Sequence, residues 1–224
     1  MKINSEFLWE KNQKEINEDA LCICHVNYNK EPLILAAVCD GVGGLPNGEN
    51  ASSLVISNIK RLFYQLPRSS SINLSKLSTL FCRCLFSCHQ EINNGGTTLC
   101  MVLIYKKKCL IISYGDSRLY IGKNRLKPFT PAHTDKSGKL THALGIGIFK
   151  KPFTSIRHIG RKTVLLLCTD GFYRRTHELI TRNKYFAHCS SEEEWLSVLQ
   201  NIYFVSVNRG EKDNSTAIAI WCES

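Results

Sequence analysis

Aspartates recur beside short apolar runs in this chain. Asp40 follows run 33–39, Asp116 follows run 109–114, Asp170 follows run 163–168, and Asp213 precedes run 216–221. The runs are leucine-rich and β-branched, which reads as buried strands. A strand that delivers a carboxylate at its end places charge at the edge of a sheet. Several carboxylates gathered at one edge repel one another unless a cation neutralises them. Oxygen-rich clusters of this kind suit Mg²⁺ or Mn²⁺. The residues therefore point first to a carboxylate-bound metal centre.

The elements that must position these groups can be read from periodicity. Strands are predicted over residues 20–26 and 33–39, joined by a hairpin loop over 27–32. Residues 43–48 read as a loop. From Glu49 the apolar residues Ala51, Leu54, Val55, Ile59, Leu62, Phe63 and Leu66 recur at helical spacing, and Pro67 with Ser69 to Ser71 stops that helix. A second helix is predicted from about Leu74 to Ile92, ended by Asn93, Asn94, Gly95 and Gly96. Strands follow over 98–105, 109–114, 118–122 and 163–168. Ser191 and Glu194 form a capping-box pattern that opens a helix through Trp195, Leu199 and Ile202, and 216–222 is the last strand. Strands, two helices, strands, helix and strand in that order give an α+β layering.

Composition bounds the function. At 224 residues the chain is expected to be one domain, 1–224, with a sizeable core. No run approaches the roughly 20 apolar residues of a bilayer helix, and no signal peptide is visible. The cysteines number 11 and fall mostly inside apolar runs with no C-x-x-C pair, so they read as reduced small hydrophobes, which favours the cytoplasm. Net charge is +10. No aromatic-basic nucleic-acid motif accompanies it, so attraction of phosphorylated or acidic partners accounts for it equally well.

Taken together, the segments resemble the metal-dependent type 2C serine/threonine protein phosphatases, in a compact bacterial style. Asn17-Glu18-Asp19-Ala20 is similar to the first motif of that family, and Asp40-Gly41-Val42-Gly43-Gly44 to its D-G-x-G-G hallmark. Gly96-Thr97-Thr98, Gly115-Asp116-Ser117-Arg118 with Tyr120, Ala143-Leu144-Gly145, Thr169-Asp170-Gly171 and Asp213-Asn214-Ser215-Thr216 follow in the family's order. Each alone is a common turn; the ordered series is specific. The resemblance implies a four-layer sandwich, with two stacked antiparallel β-sheets flanked by α-helices. It implies two ions, Mn²⁺ or Mg²⁺, bridged by Asp40. Asp170 and Asp213 would hold the first. Glu18 and the Gly41 carbonyl would hold the second, whose waters Asp19 would support. A water activated between the ions would attack phosphorus and displace the serine or threonine oxygen.

Departures from the family pattern concentrate at the site. Lys14 stands where the family has a phosphate-gripping arginine, and a lysine cannot make the bidentate fork; the alternative is a solvated surface lysine. Val42 stands where some members carry a histidine general acid. Some members bind a third ion through the aspartate matching Asp116 and another matching Arg174, and an arginine there repels a third ion or pairs with Asp116 in its place. Asp116 is otherwise a turn residue. The segment 129–139 is short for the family's flap, and His133 and His142 in or near it read as surface histidines. The expected activity is dephosphorylation of a phosphorylated protein, the substrate of a partner kinase or a signalling regulator, without nucleic acid or membrane. The alternative is a pseudophosphatase acting as a regulatory binding module, supported by Lys14, Arg174 and the short flap.

Overall fold

The computed structural model describes residues 2–28, 30–66, 72–182, 186, 189 and 191–223. Strands β1 (Ile3–Glu10), β2 (Ala20–Tyr28) and β3 (Glu31–Cys39) lead into helices α1 (Gly48–Tyr64) and α2 (Leu74–Glu91). Strands β4 (Leu99–Tyr105), β5 (Lys108–Tyr114), β6 (Arg118–Gly122), β7 (Leu126–Pro128), β8 (Phe153–His158) and β9 (Val164–Cys168) follow. The chain then forms α3 (Asp170–Tyr173), α4 (His177–Arg182), α5 (Glu192–Asn208) and β10 (Ser215–Cys222).

Two five-stranded antiparallel sheets result, ordered β1-β10-β9-β6-β7 and β2-β3-β4-β5-β8. Successive side chains of β3 point to opposite faces. Leu33, Leu35, Ala37 and Cys39 meet α1 and α2 in one core. Ile34, Ala36 and Val38 meet Leu165, Leu167, Ile218 and Ile220 of the other sheet in a second. A third core lies between the outer face of that sheet and α3 to α5, around Trp195 and Trp221. Both faces of the inner strands are therefore buried, which is why they read as unbroken apolar runs. The four-layer sandwich expected from the resemblance is the fold observed.

The predicted inner elements match within a few residues, and the capping box at Ser191 and Glu194 closes in both directions. Helix α1 ends at Tyr64, short of Leu66. Its expected stop at Pro67 and Ser69 to Ser71 lies outside the described residues. Strands β1, β7 and β8 and the short helices α3 and α4 were not predicted. The cysteines are free, and most are buried. No helix among the described residues is long and apolar enough to cross a membrane.

Candidate active site at the end of the sandwich

Strand register gathers the acidic residues at one end of both sheets. Ala20 pairs with Cys39, so the start of β2 and the end of β3 lie together. Cys168 pairs with both Arg118 and Ala217, so the end of β9 meets the starts of β6 and β10. Glu18, Asp19, Asp40, Asp116, Asp170 and Asp213 flank these ends. The loop over 11–19 leaves β1 of one sheet and enters β2 of the other.

Hydrogen bonds from the motif residues hold the backbone here. The Asp40 amide donates to Thr98 Oγ1 at 3.1 Å, and Thr97 Oγ1 donates to the Asp40 carbonyl at 2.9 Å. Thr98 Oγ1 shares a 2.6 Å hydrogen bond with Ser117 Oγ, tying the Asp40 strand end to the Asp116 corner. Asn214 Oδ1 accepts from the Glu18 amide at 2.9 Å, while its Nδ2 donates to the Lys11 and Ile16 carbonyls. Asn214 thus fixes the loop that carries Lys14 and Glu18 against the start of β10. Its place in the last motif could have suggested such a role.

Glycine is required where Glu18 packs. A methyl group at Gly41 would lie 2.7 Å from the Gly48 carbonyl and 2.8 Å from Glu18 Cβ, and one at Gly48 would strike Glu18 Oε1. No sequence signal had singled out Gly48. Gly43, by contrast, has room for a side chain, its nearest neighbour being Lys14 Nζ at 3.9 Å.

The site is strongly negative within a cationic protein. Burial, reinforced by Asp19, Asp170, Asp116 and Asp213, pushes the Asp40 carboxyl well above the usual range. Burial and then Asp170 push Asp116 up to about 6. Asp19 is buried, and both Thr169 and Thr216 donate to its Oδ2, at 2.8 and 2.7 Å. Burial outweighs those hydrogen bonds and pushes its pKa up to about 7. Glu18 is raised by burial and Asp170 by burial against the opposing pull of Arg174.

Cations occupy the space between these groups. Lys14 Nζ lies 3.1 Å from Asp213 Oδ1 with its side chain 39% exposed, so it is paired with a carboxylate and is not a fully solvated lysine. The Arg174 guanidinium pairs with Asp170, with Glu211 Oε1 at 3.1 Å and with Asp213 Oδ2 at 3.4 Å. The expected alternative, pairing with Asp116, is not the arrangement observed. Asp116 instead accepts the Tyr173 hydroxyl at its carbonyl, 3.0 Å away. Among the described residues no three His, Cys, Asp or Glu side chains close on one point as a preformed metal site does.

His133 and His177 make structural contacts near the site. His133 is half-buried, accepts the Gly115 amide at Nδ1 (3.1 Å), and its ring lies 4.2 Å from that of His142. It anchors the 129–139 segment to the Asp116 corner, so the expectation of a plain surface histidine is corrected. His177 joins the Tyr120 hydroxyl at 2.9 Å.

Raised carboxylates make stability depend on pH. A carboxyl whose folded pKa lies above its unfolded value favours the folded state at low pH, and that contribution is lost as pH rises through the folded value. With Asp116 near 6 and Asp19 near 7, the chelator-treated protein is expected to melt at progressively lower temperature from about pH 4 to pH 7. Melting curves in EDTA across that range check it. A flat or rising profile would mean that the carboxylates are neutralised within the fold.

The carboxylates thus gather at one end of a double β-sandwich, where Thr97, Thr98 and Asn214 hold the backbone that carries Asp40 and Glu18. The family described as Protein phosphatase 2C matches residues 11–206, and the chain belongs to that family of metal-dependent protein phosphatases. Its fold is similar to that of the Staphylococcus aureus serine/threonine phosphatase Stp1, with TM-score 0.83 and 21% identity over 100% of this chain and 96% of that one. The S. agalactiae serine/threonine phosphatase aligns with TM-score 0.81 and 16% identity over 99% and 100% of the two chains. PppA, a regulatory component of the type VI secretion system in Pseudomonas aeruginosa, aligns with TM-score 0.77 and 20% identity over 99% and 98%.

Proposed function

We propose that the chain, acting as one catalytic domain over 1–224, hydrolyses phosphoserine and phosphothreonine in proteins with Mn²⁺ or Mg²⁺ bound at the sandwich end. The observation that carries this reading is the placing of Asp40, Asp116, Asp170 and Asp213 at one end of the sandwich, where burial, reinforced by Asp19, Asp170, Asp116 and Asp213, raises Asp40, and burial with Asp170 raises Asp116. Hard carboxylate oxygens fit a divalent cation of this kind. Asp40 would bridge two ions. Asp170 and Asp213 would hold the first, Glu18 and the Gly41 carbonyl the second, with Asp19 behind them and Asp116 at the margin. Two ions held there would supply an activated water and neutralise charge on the phosphoryl oxygens.

The chain's own contribution is orientation. Thr97, Thr98 and Asn214 fix the backbone that presents Asp40 and Glu18. Lys14 supplies a point charge that attracts a phosphate without forking onto it. Val42 offers no proton, so the leaving oxygen would take one from water or from another group. Free, mostly buried thiols suit a reducing cytoplasm. A phosphoprotein serving as signalling regulator or kinase product is the substrate class proposed. The pseudophosphatase reading is not favoured, because every carboxylate of the expected metal set is in place.

The test is hydrolysis of a phosphothreonine peptide and of p-nitrophenyl phosphate, with and without Mn²⁺, beside Asp213→Asn. Metal-dependent turnover that disappears in the variant is expected. Turnover indifferent to Mn²⁺, or retained in Asp213→Asn, would remove Asp213 from the metal set.

A further inference from the structure

We propose that Arg174 is an in-chain latch on the metal centre: its guanidinium holds Asp170 and Asp213 together in the metal-free protein, and the first ion must displace it to bind. This rests on the two-metal reading above and concerns what that site does before metal arrives. It differs from a block on a third ion, because the contacts fall on the carboxylates assigned to the first.

The geometry is built, not incidental. Asp170 opens α3, and the Arg174 amide donates to the Asp170 carbonyl at 2.7 Å. An i,i+4 pair on one helical turn stacks both side chains on the same face. The same Nη2 that meets Asp170 reaches Asp213 Oδ2 at 3.4 Å, so one nitrogen bridges both groups. Nη1 is anchored separately on Glu211 Oε1 at 3.1 Å.

Glu211 is a fixed post. It is only 3% exposed, and its Oε1 also accepts the Lys212 and Asp213 amides at 3.1 and 3.3 Å. Its Oε2 faces Arg175 Nε at 3.6 Å. Glu211 therefore shapes the Asp213 loop and holds the guanidinium over it. When Nη2 leaves Asp170 and Asp213, Nη1 keeps its partner, so the latch opens by rotation about Glu211 without stranding a charge.

The consequence is competitive. A guanidinium and a divalent ion cannot both occupy Asp170 Oδ2 and Asp213 Oδ2, the two oxygens that Nη2 meets. The apparent metal affinity is then reduced by the fraction of molecules in which the latch is open. The same cation lowers the repulsion among the carboxylates, so the metal-free fold keeps its site assembled.

Mn²⁺ affinity measured by calorimetry on the full chain separates the possibilities, with Arg174→Gln and Arg174→Ala beside wild type and Asp213→Asn as the metal-free control. Circular dichroism confirms folding of each. Both arginine variants are expected to bind Mn²⁺ about tenfold tighter or more, the scale of changes next to metal ligands, and to melt lower than wild type in EDTA. In wild type, addition of diamagnetic Mg²⁺ is expected to move the Arg174 guanidinium resonances in ¹⁵N-edited spectra. Equal or weaker Mn²⁺ affinity in the folded variants, or resonances unmoved at Mg²⁺ saturation, would overturn the latch and leave the metal centre standing. Binding by no variant at all would remove the metal-centre reading and the latch with it.

Discussion

Asp40→Asn is expected to abolish Mn²⁺-dependent phosphopeptide hydrolysis while raising the melting temperature of the metal-free protein. The two effects have one cause. Asp40 carries the most crowded charge of the site: burial, Asp19, Asp170, Asp116 and Asp213 all push its pKa up. Without metal, this carboxyl destabilises the fold at neutral pH, because the same group in the unfolded chain, solvated and separate, ionises freely. Asparagine removes the charge and keeps the shape. Each kcal/mol so released raises the melting temperature by about 2–4 °C at this chain length. With metal the balance reverses. The bridging oxygens are lost, and the rate should fall on the order of 10³-fold or more, the scale of losing a principal electrostatic stabiliser. Melting scans in EDTA and in excess Mn²⁺ test both halves: wild type should gain stability on Mn²⁺ and the variant should not. A variant that melts lower in EDTA would show that the Asp40 carboxylate is held by favourable partners, and the acidic end would need another account.

How much of this was legible in the sequence depended on burial. Strands β3, β4, β5, β9 and β10 are buried on both faces and announced themselves as apolar runs. Strands β1 and β8 lie at sheet edges with only scattered burial, Leu8 being the one buried residue of β1. Their stability comes from pairing with β10 and β5, which no local periodicity records. Short helix α3 was hidden because two of its four residues, Asp170 and Gly171, belong to the Thr169-Asp170-Gly171 motif. At the site, the carboxylates were visible as strand-end residues, since a strand that stops in Asp needs no tertiary knowledge to notice. The partners of Arg174 were not visible. Asp116 looked closest by family position, whereas the i,i+4 geometry of α3 and the buried Glu211 direct the guanidinium to Asp170 and Asp213. Glu211 itself carried no motif, and only its burial beside Asp213 exposes its role.

Trp195→Ala is expected to be the most destabilising single truncation of the core, at about 3–5 kcal/mol, the range for emptying a buried tryptophan site. Trp195 is fully buried and stacks on Trp221 at 5.0 Å with an interplanar angle of 20°, with Phe186 at 5.7 Å on another side. It sits in the first turn of α5 and pins that helix to the sheet formed by β1 and β10. Against a typical total stability of about 5–15 kcal/mol, such a loss leaves little margin. The damage should also reach the chemistry. Ser206 of α5 donates to the Gly171 carbonyl at 3.3 Å, and Arg209 donates to the Arg175 carbonyl at 2.6 Å. Helix α5 therefore buttresses α3, which carries Asp170 and leads into Arg174. Turnover in Trp195→Ala should fall with the folded fraction and return on cooling or with excess Mn²⁺, which binds only the folded site. Trp195→Phe should lose much less, because it keeps an aromatic ring against Trp221 and removes an indole N–H that has no hydrogen-bond partner among the described residues. Urea titrations read the free energies directly. A loss below about 1 kcal/mol for the alanine variant would mean that α5 collapses into the vacated space, and the link from this core to the acidic site would then have to run through β9 and β10 alone.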